Sequence, residues 1–197
     1  MRRSSRVGGL SVLFATSNRG KLDEARAILA PFGISVEQFD GKGIEIQADT
    51  TSDVASYASR GAAKAAGRAV LVEDAGLFVE SLEGFPGPYS AYAFKTIGVA
   101  GVISLLRSSP RGREARFVSS LAYCEPHGEP VLFEGSALGA IATRPRGTKG
   151  FGFDPIFVPK GGRKTFGELT IDEKSAVSHR ADSMKKFAEW YLSRDLR

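Results

Sequence analysis

The chain has 197 residues, 42% hydrophobic and 25% charged, the mix of a globular protein long enough to bury a substantial core. One cysteine, Cys124, excludes an internal disulfide and a cysteine-rich metal site, and two histidines, His127 and His179, are too few for a histidine-built zinc site; any metal is therefore expected on carboxylates, which favours magnesium or manganese. The formal net charge of +5 suits an anionic partner, and composition does not separate a phosphate-rich substrate from nucleic acid or from a merely solvated basic terminus.

Residues 1–9, with Arg2, Arg3 and Arg6, read as a flexible basic tail, and 10–197 as a single domain. LSVLFAT is too short for a signal-peptide core, and no apolar run is long enough to span a bilayer, so the expected location is the cytoplasm. Leu10 to Ala15 reads instead as a strand buried on both faces. Thr16 to Gly20 is a polar loop, and from Lys21 a helix follows with Leu22, Ala25, Ile28 and Leu29 on one face, ended by Pro31 and Gly33. Ile34 to Phe39 forms a second strand. A second helix begins near Ser52 as its cap, carries an alanine-rich stripe, and closes at Gly67. Ala69 to Val72 is a short strand, with Glu73-Asp74 in a tight turn directly after it.

Gly84 to Pro88 is loop, and Val99 to Leu106 a helix. Arg116 to Tyr123 and Pro130 to Ala142 have the alternation of paired strands, joined by the turn-like EPHGEP. Thr143 to Asp154 is a long glycine-rich, basic loop. Thr170 and Glu173 fit a capping box, and Ser178 caps a last helix whose apolar face is Met184, Phe187, Ala188 and Tyr191. Early alternation of strands and helices, then a hairpin, gives an α/β fold with a mixed sheet.

Four constellations carry chemistry. Thr16-Ser17-Asn18-Arg19-Gly20-Lys21 lies between a buried strand and a helix, where free N–H groups, the helix dipole and the Lys21 charge suit phosphate; an ordinary capped helix start reads equally well. Glu73-Asp74 places two carboxylates at a strand end, one to hold a metal and one to polarise water, with Glu45 upstream as a further acid. Phe151, between Gly150 and Gly152, can lie against a base, whereas Phe153 also suits a core position. Lys174 and the His179-Arg180 pair offer donors for phosphate or a keto oxygen.

In order along the chain, TSNRGK (16–21), EDAGL (73–77), GFPGPYSAY (84–92), GFGFDP (150–155) and EKSAVSHR (173–180) resemble the inosine triphosphate pyrophosphatase family, also called Ham1-like, and AYAFKTIG resembles its archaeal members. The resemblance implies an elongated mixed β-sheet flanked by helices, two lobes with a central cleft, and hydrolysis of ITP, dITP or XTP to the monophosphate and pyrophosphate. It implies Thr16, Ser17, Asn18, Arg19, Gly20 and Lys21 as the triphosphate loop, with Lys64 near a phosphate-contacting lysine. Asp74 is implied as the base and, with Glu45 and Glu73, as a magnesium ligand. Ala75 is a substrate contact, Phe151, Gly152, Phe153 and Asp154 the base pocket, Lys174 a substrate lysine, and His179-Arg180 the readers of the purine 6-keto edge. A homodimer is implied as well, with no nucleic-acid or membrane partner. The chain departs from many bacterial members in carrying Tyr92 where they have arginine, and in its basic tail. A nucleic-acid module and a pyrophosphatase for modified pyrimidine or methylated nucleotides are the rival readings; the basic residues form no aromatic-interleaved stripe, and His179-Arg180 speaks for a purine.

Overall fold

The computed structural model describes residues 10–41, 46–107 and 112–194. Its strands β1 (Leu10–Ala15), β2 (Ile34–Phe39), β3 (Val70–Val79), β4 (Pro86–Gly87), β5 (Glu114–Cys124), β6 (Val131–Ile141) and β7 (Phe157–Pro159) form one sheet in the order β2-β1-β3-β5-β6-β7, with β4 on the free edge of β3. β2, β1 and β3 run parallel, and the remaining pairs are antiparallel, so the sheet is mixed. The helices are α1 (Arg19–Leu29), α2 (Thr51–Ala66), α3 (Ser90–Thr96), α4 (Gly98–Leu105), α5 (Ile171–Ser175) and α6 (His179–Arg194).

Local chemistry sets most of these boundaries. The Asn18 side chain accepts the Lys21 N–H at 3.2 Å and starts α1 two residues before the expected position. α2 is capped by Thr50, whose hydroxyl oxygen accepts the Asp53 N–H at 3.1 Å, not by Ser52. The α5 capping box and the Ser178 cap, which accepts the Ala181 N–H at 3.1 Å, stand as read.

The main correction concerns β3. It does not stop at Val72, and Glu73-Asp74 is not in a turn. β5 pairs with it along its whole length, from Val70↔Cys124 to Val79↔Ala115, and β4 joins at Leu77↔Gly87. Non-local pairing overrides the turn signal of Gly76, whose role is steric: a Cβ there would lie 2.3 Å from the Gly87 carbonyl oxygen. β4, α3 and β7 are additional elements that the local pattern did not reveal.

The alternation of β3 and β5 sorts side chains onto two faces. On one face Leu71, Leu121 and Tyr123 join α1 and α6 in one apolar cluster, while Leu77, Val79, Phe117 and Ala115 join α4 in a second. Between these two clusters lie Glu73 and Ser119, both buried. On the other face Val70, Val72 and Cys124 pack under α2.

Candidate active site

β1 pairs with β3 only at Leu13↔Val70 and Phe14↔Leu71, and β4 takes over that edge at Leu77. Residues 73–76 therefore have β5 on one side and, among the described residues, no strand on the other. The loop after β1 serves this gap: Lys21 Nζ donates to the Glu73 carbonyl at 3.0 Å and lies 3.3 Å from its carboxylate Oε2. Thr16 Oγ1 accepts the Asn18 N–H at 3.1 Å, and Ser17, Asn18 and Arg19 are exposed, so the loop is held tightly but faces solvent at the N-terminus of α1. That is the geometry of an anion site.

A buried chain of alternating charges runs inward from Lys21. Glu73 binds Arg180, with Nε 2.9 Å from Oε1 and the second guanidinium nitrogen 3.1 Å from Oε2. Arg180 donates to Glu24, Glu24 accepts from Lys174 Nζ at 2.7 Å, and Lys174 donates to Asp154 at 2.6 Å. Asp154 also accepts the Phe151 N–H at 2.9 Å. The chain thus joins the loop after β1 to the GFGFDP segment through three cations and three carboxylates, with no net charge. Unpaired, any one of these groups would cost several kcal/mol to bury.

Burial opposes ionisation of Glu73, but the Arg180 guanidinium and then the Lys21 ammonium outweigh it and hold the carboxyl far below its ordinary 4.5. Glu24 is likewise lowered, burial being outweighed by Arg180 and Lys174. Burial also works against the Arg180 charge, yet Glu73 and Glu24 raise its pKa above that of an ordinary guanidinium. His179 moves the other way: burial, then the adjacent Arg180 charge, push it well below 6.5, so the imidazole is neutral.

Aromatic rings line the inner end. Phe151 lies with Lys174 Nζ 5.2 Å and Arg180 Cζ 5.3 Å from its centroid, and a Cβ on Gly20 would come within 2.4 Å of its ring. A side chain at position 20 would have to displace the ring from the first turn of α1. The flanking Gly150 and Gly152 adopt φ of 71° and 59°, which favour glycine. His179 stacks on Phe117 at 4.6 Å, and its Nδ1 is buried without a hydrogen-bond partner among the described residues.

Asp74 sits one peptide from Glu73 but on the opposite face, half-buried, in the row that continues Val70 and Val72 toward the start of α2. Its register partner Ser120 contacts the Thr51 hydroxyl at 2.7 Å. The sequence expectation that Glu73 and Asp74 share a metal is corrected here: alternation separates them, and both Glu73 oxygens are taken by Arg180, Ser119 and Lys21. Glu45 lies outside the described residues. Among the described residues no three His, Cys, Asp or Glu side chains form a preformed cage. One described carboxylate, Asp74, suits a hard cation that keeps several waters and takes further oxygens from a substrate, as magnesium does.

Ala75, half-buried, shares the Glu73 face. Two other expected residues do not join the group. Lys64 is exposed in the last turn of α2, thirteen residues and about 20 Å along the helix from Thr51. Phe153 is core, edge-on to Phe94 at 5.5 Å and packed among Leu77, Ile156 and Phe166. Three members were missed: Glu24, Ser119 and Ser183. Glu24 carried a signal, because it falls four residues before Ile28 on the buried face of α1, where a carboxylate needs partners. GFPGPYSAY also gains a role, since Ser90 accepts the Leu77 N–H at 2.7 Å and donates to the Gly87 carbonyl at 2.7 Å, bracing β3 beside the site.

A family model described as the Ham1 family matches residues 12–190. A protein of Methanopyrus kandleri named dITP/XTP pyrophosphatase is 51% identical over 182 residues, covering 92% of this chain and 96% of the relative. One of the same name from Thermococcus kodakarensis is 46% identical, covering 92% and 97%. Among solved structures, a HAM1 protein of Coxiella burnetii superposes with a TM-score of 0.82 at 29% identity, covering 93% of this chain and 99% of that one.

Proposed function

The chain belongs to the Ham1 family, and from that premise we propose that it is a nucleoside-triphosphate pyrophosphatase acting on the noncanonical purine nucleotides ITP, dITP and XTP. One observation carries the reading furthest. A charge-balanced buried chain connects a phosphate-type loop to a cluster of aromatic rings in which a neutral, buried imidazole nitrogen has no protein partner among the described residues. Buried polar atoms are as a rule paired, and a bound ligand is one source of the partner.

In the reaction, water attacks the α-phosphorus, the bond from that phosphorus to the bridging oxygen breaks, and pyrophosphate leaves. Asp74 takes the proton from the water. Lys21 and the N–H groups of the first turn of α1 offset charge on the departing pyrophosphate. A magnesium ion, with manganese as the alternative, would be held by Asp74 together with Glu45 and would neutralise phosphate charge. Arg180 has five N–H groups and gives three to Glu73 and Glu24, while Lys174 gives two of its three to Glu24 and Asp154. The remaining donors and His179 suit a 6-keto oxygen. The 6-amino group of adenine would instead face donors in a closed site, and an unpaired buried donor costs about 1–3 kcal/mol. Phe151 supplies a face for the ring.

The test is a panel of ITP, dITP, XTP, ATP and GTP with magnesium. Monophosphate and pyrophosphate from the first three, with ATP slower by about tenfold or more, is expected; equal rates for ITP and ATP, or release of orthophosphate, contradict the reading. Membership of the family also supports a homodimer, which sedimentation at two concentrations reads directly. No described helix is long and apolar enough to cross a membrane, in keeping with a proposed cytoplasmic site of action.

A further inference from the structure

We infer that Ser119 is a specificity-setting positioning residue: with Ser183, it fixes the Glu73 carboxylate in the orientation that aims Arg180 at the nucleobase. The inference rests on the pyrophosphatase reading above. Ser119 sits on β5 between Phe117 and Leu121, at the point where the two apolar clusters part, and is fully buried. Its hydroxyl donates to Glu73 Oε1 at 2.7 Å and lies 2.8 Å from the Ser183 hydroxyl.

Proton accounting gives this row a direction. A serine has one hydroxyl proton, and a carboxylate accepts only. The Ser119 proton therefore goes to Glu73. Ser183 must then donate to Ser119, in preference to its longer contact of 3.1 Å with the Arg180 carbonyl. Ser183, Ser119 and Glu73 form a polarised line ending on the carboxylate that receives two Arg180 N–H groups. Without the Ser119 proton, Oε1 keeps Arg180 Nε and Oε2 keeps the second guanidinium nitrogen and Lys21, but the carboxylate loses the donor that ties it to β5 and can shift together with Arg180. Arg180 then pivots about Glu24, and its remaining donors lose their aim.

The backbone is arranged for this contact. Gly135 is the register partner of Ser119 on β6, and a Cβ there would lie 2.2 Å from the His179 carbonyl oxygen and 2.3 Å from the Ser183 nitrogen. Glycine at 135 lets the first turn of α6 descend onto the sheet until Ser183 reaches Ser119. The same turn carries His179 and Arg180, so the hydroxyl pair and the base-reading pair are set by one helix placement.

The test compares wild type, Ser119→Ala and Ser183→Ala for ITP and ATP hydrolysis, with thermal midpoints. In Ser119→Ala, kcat/KM for ITP should fall about tenfold, the equivalent of about 1.4 kcal/mol, while ATP hydrolysis stays within about twofold; the ITP-to-ATP ratio collapses. Ser183→Ala, which leaves the Ser119 donor in place, should show a smaller loss of the same ratio. A general packing defect would lower both substrates together. An equal fall for both, or an unchanged ratio, overturns the inference while leaving the pyrophosphatase reading intact if wild type still makes IMP and pyrophosphate. A wild type that does not hydrolyse ITP overturns both.

Discussion

Glu73 and Asp74 are adjacent acids in one strand with opposite circumstances. Glu73 is wholly buried, its oxygens shared among a guanidinium, an ammonium and a hydroxyl. Asp74 faces the other side of the sheet, half-buried, near the start of α2. The strand pleat alone produces the difference. It teaches that two adjacent acids need not share one setting: Glu73 is tied into the buried ion chain, and Asp74 is turned to the opposite face.

Each half of that comparison can be broken separately. Asp74→Asn should cut turnover with ITP by about 10²–10⁴-fold with a thermal midpoint close to wild type; steady-state kinetics and calorimetry read both. Glu73→Gln should do the reverse in emphasis. It leaves Arg180 buried with Glu24 alone, costs about 3 kcal/mol, and lowers the midpoint by about 6–12 °C. A stable, inactive E73Q protein would place Glu73 with the reacting groups instead.

The pH dependence of stability sharpens the same point. His179 is neutral in the folded protein with its pKa lowered from 6.5, so its contribution is intact above 6.5 and is lost as pH falls and the unfolded chain takes up the proton. Glu73 and Glu24 are lowered from 4.5, so theirs is intact above 4.5 and lost as pH falls further. Thermal midpoints should therefore be level from about pH 7 to 8 and decline in two stages as pH falls, the buried Asp154 carboxyl, raised above 3.8, partly offsetting the second. His179→Gln should remove the first stage and spare the second. The smallest effect is expected at Lys64, outside the group: Lys64→Ala should change stability by less than about 0.5 kcal/mol and leave turnover of ITP near wild type.

Much of this was legible in the sequence. β1, the loop after it, α1, the β5–β6 pair and the capped final helix all follow from periodicity and caps, because their signals are local. The five ordered motifs pointed to the loop, Asp74, Phe151, Lys174 and His179-Arg180. What was not legible depended on distant partners. β3 extends through Gly76 only because β5 and β4 pair with it, and without that strand the opposite facing of Glu73 and Asp74 cannot be seen. Ser119 and Ser183 are ordinary residues until Gly135 brings α6 against the sheet. Glu24 was readable from its place on the buried face of α1, but its partners lie about 150 residues away, at Lys174 and Arg180.

The most direct test of the account is hydrolysis of ITP in water enriched in ¹⁸O, with mass analysis of the products. Attack at the α-phosphorus with Asp74 as base puts the label in IMP and leaves the pyrophosphate unlabelled. Label in pyrophosphate, or IDP with labelled orthophosphate, would contradict it.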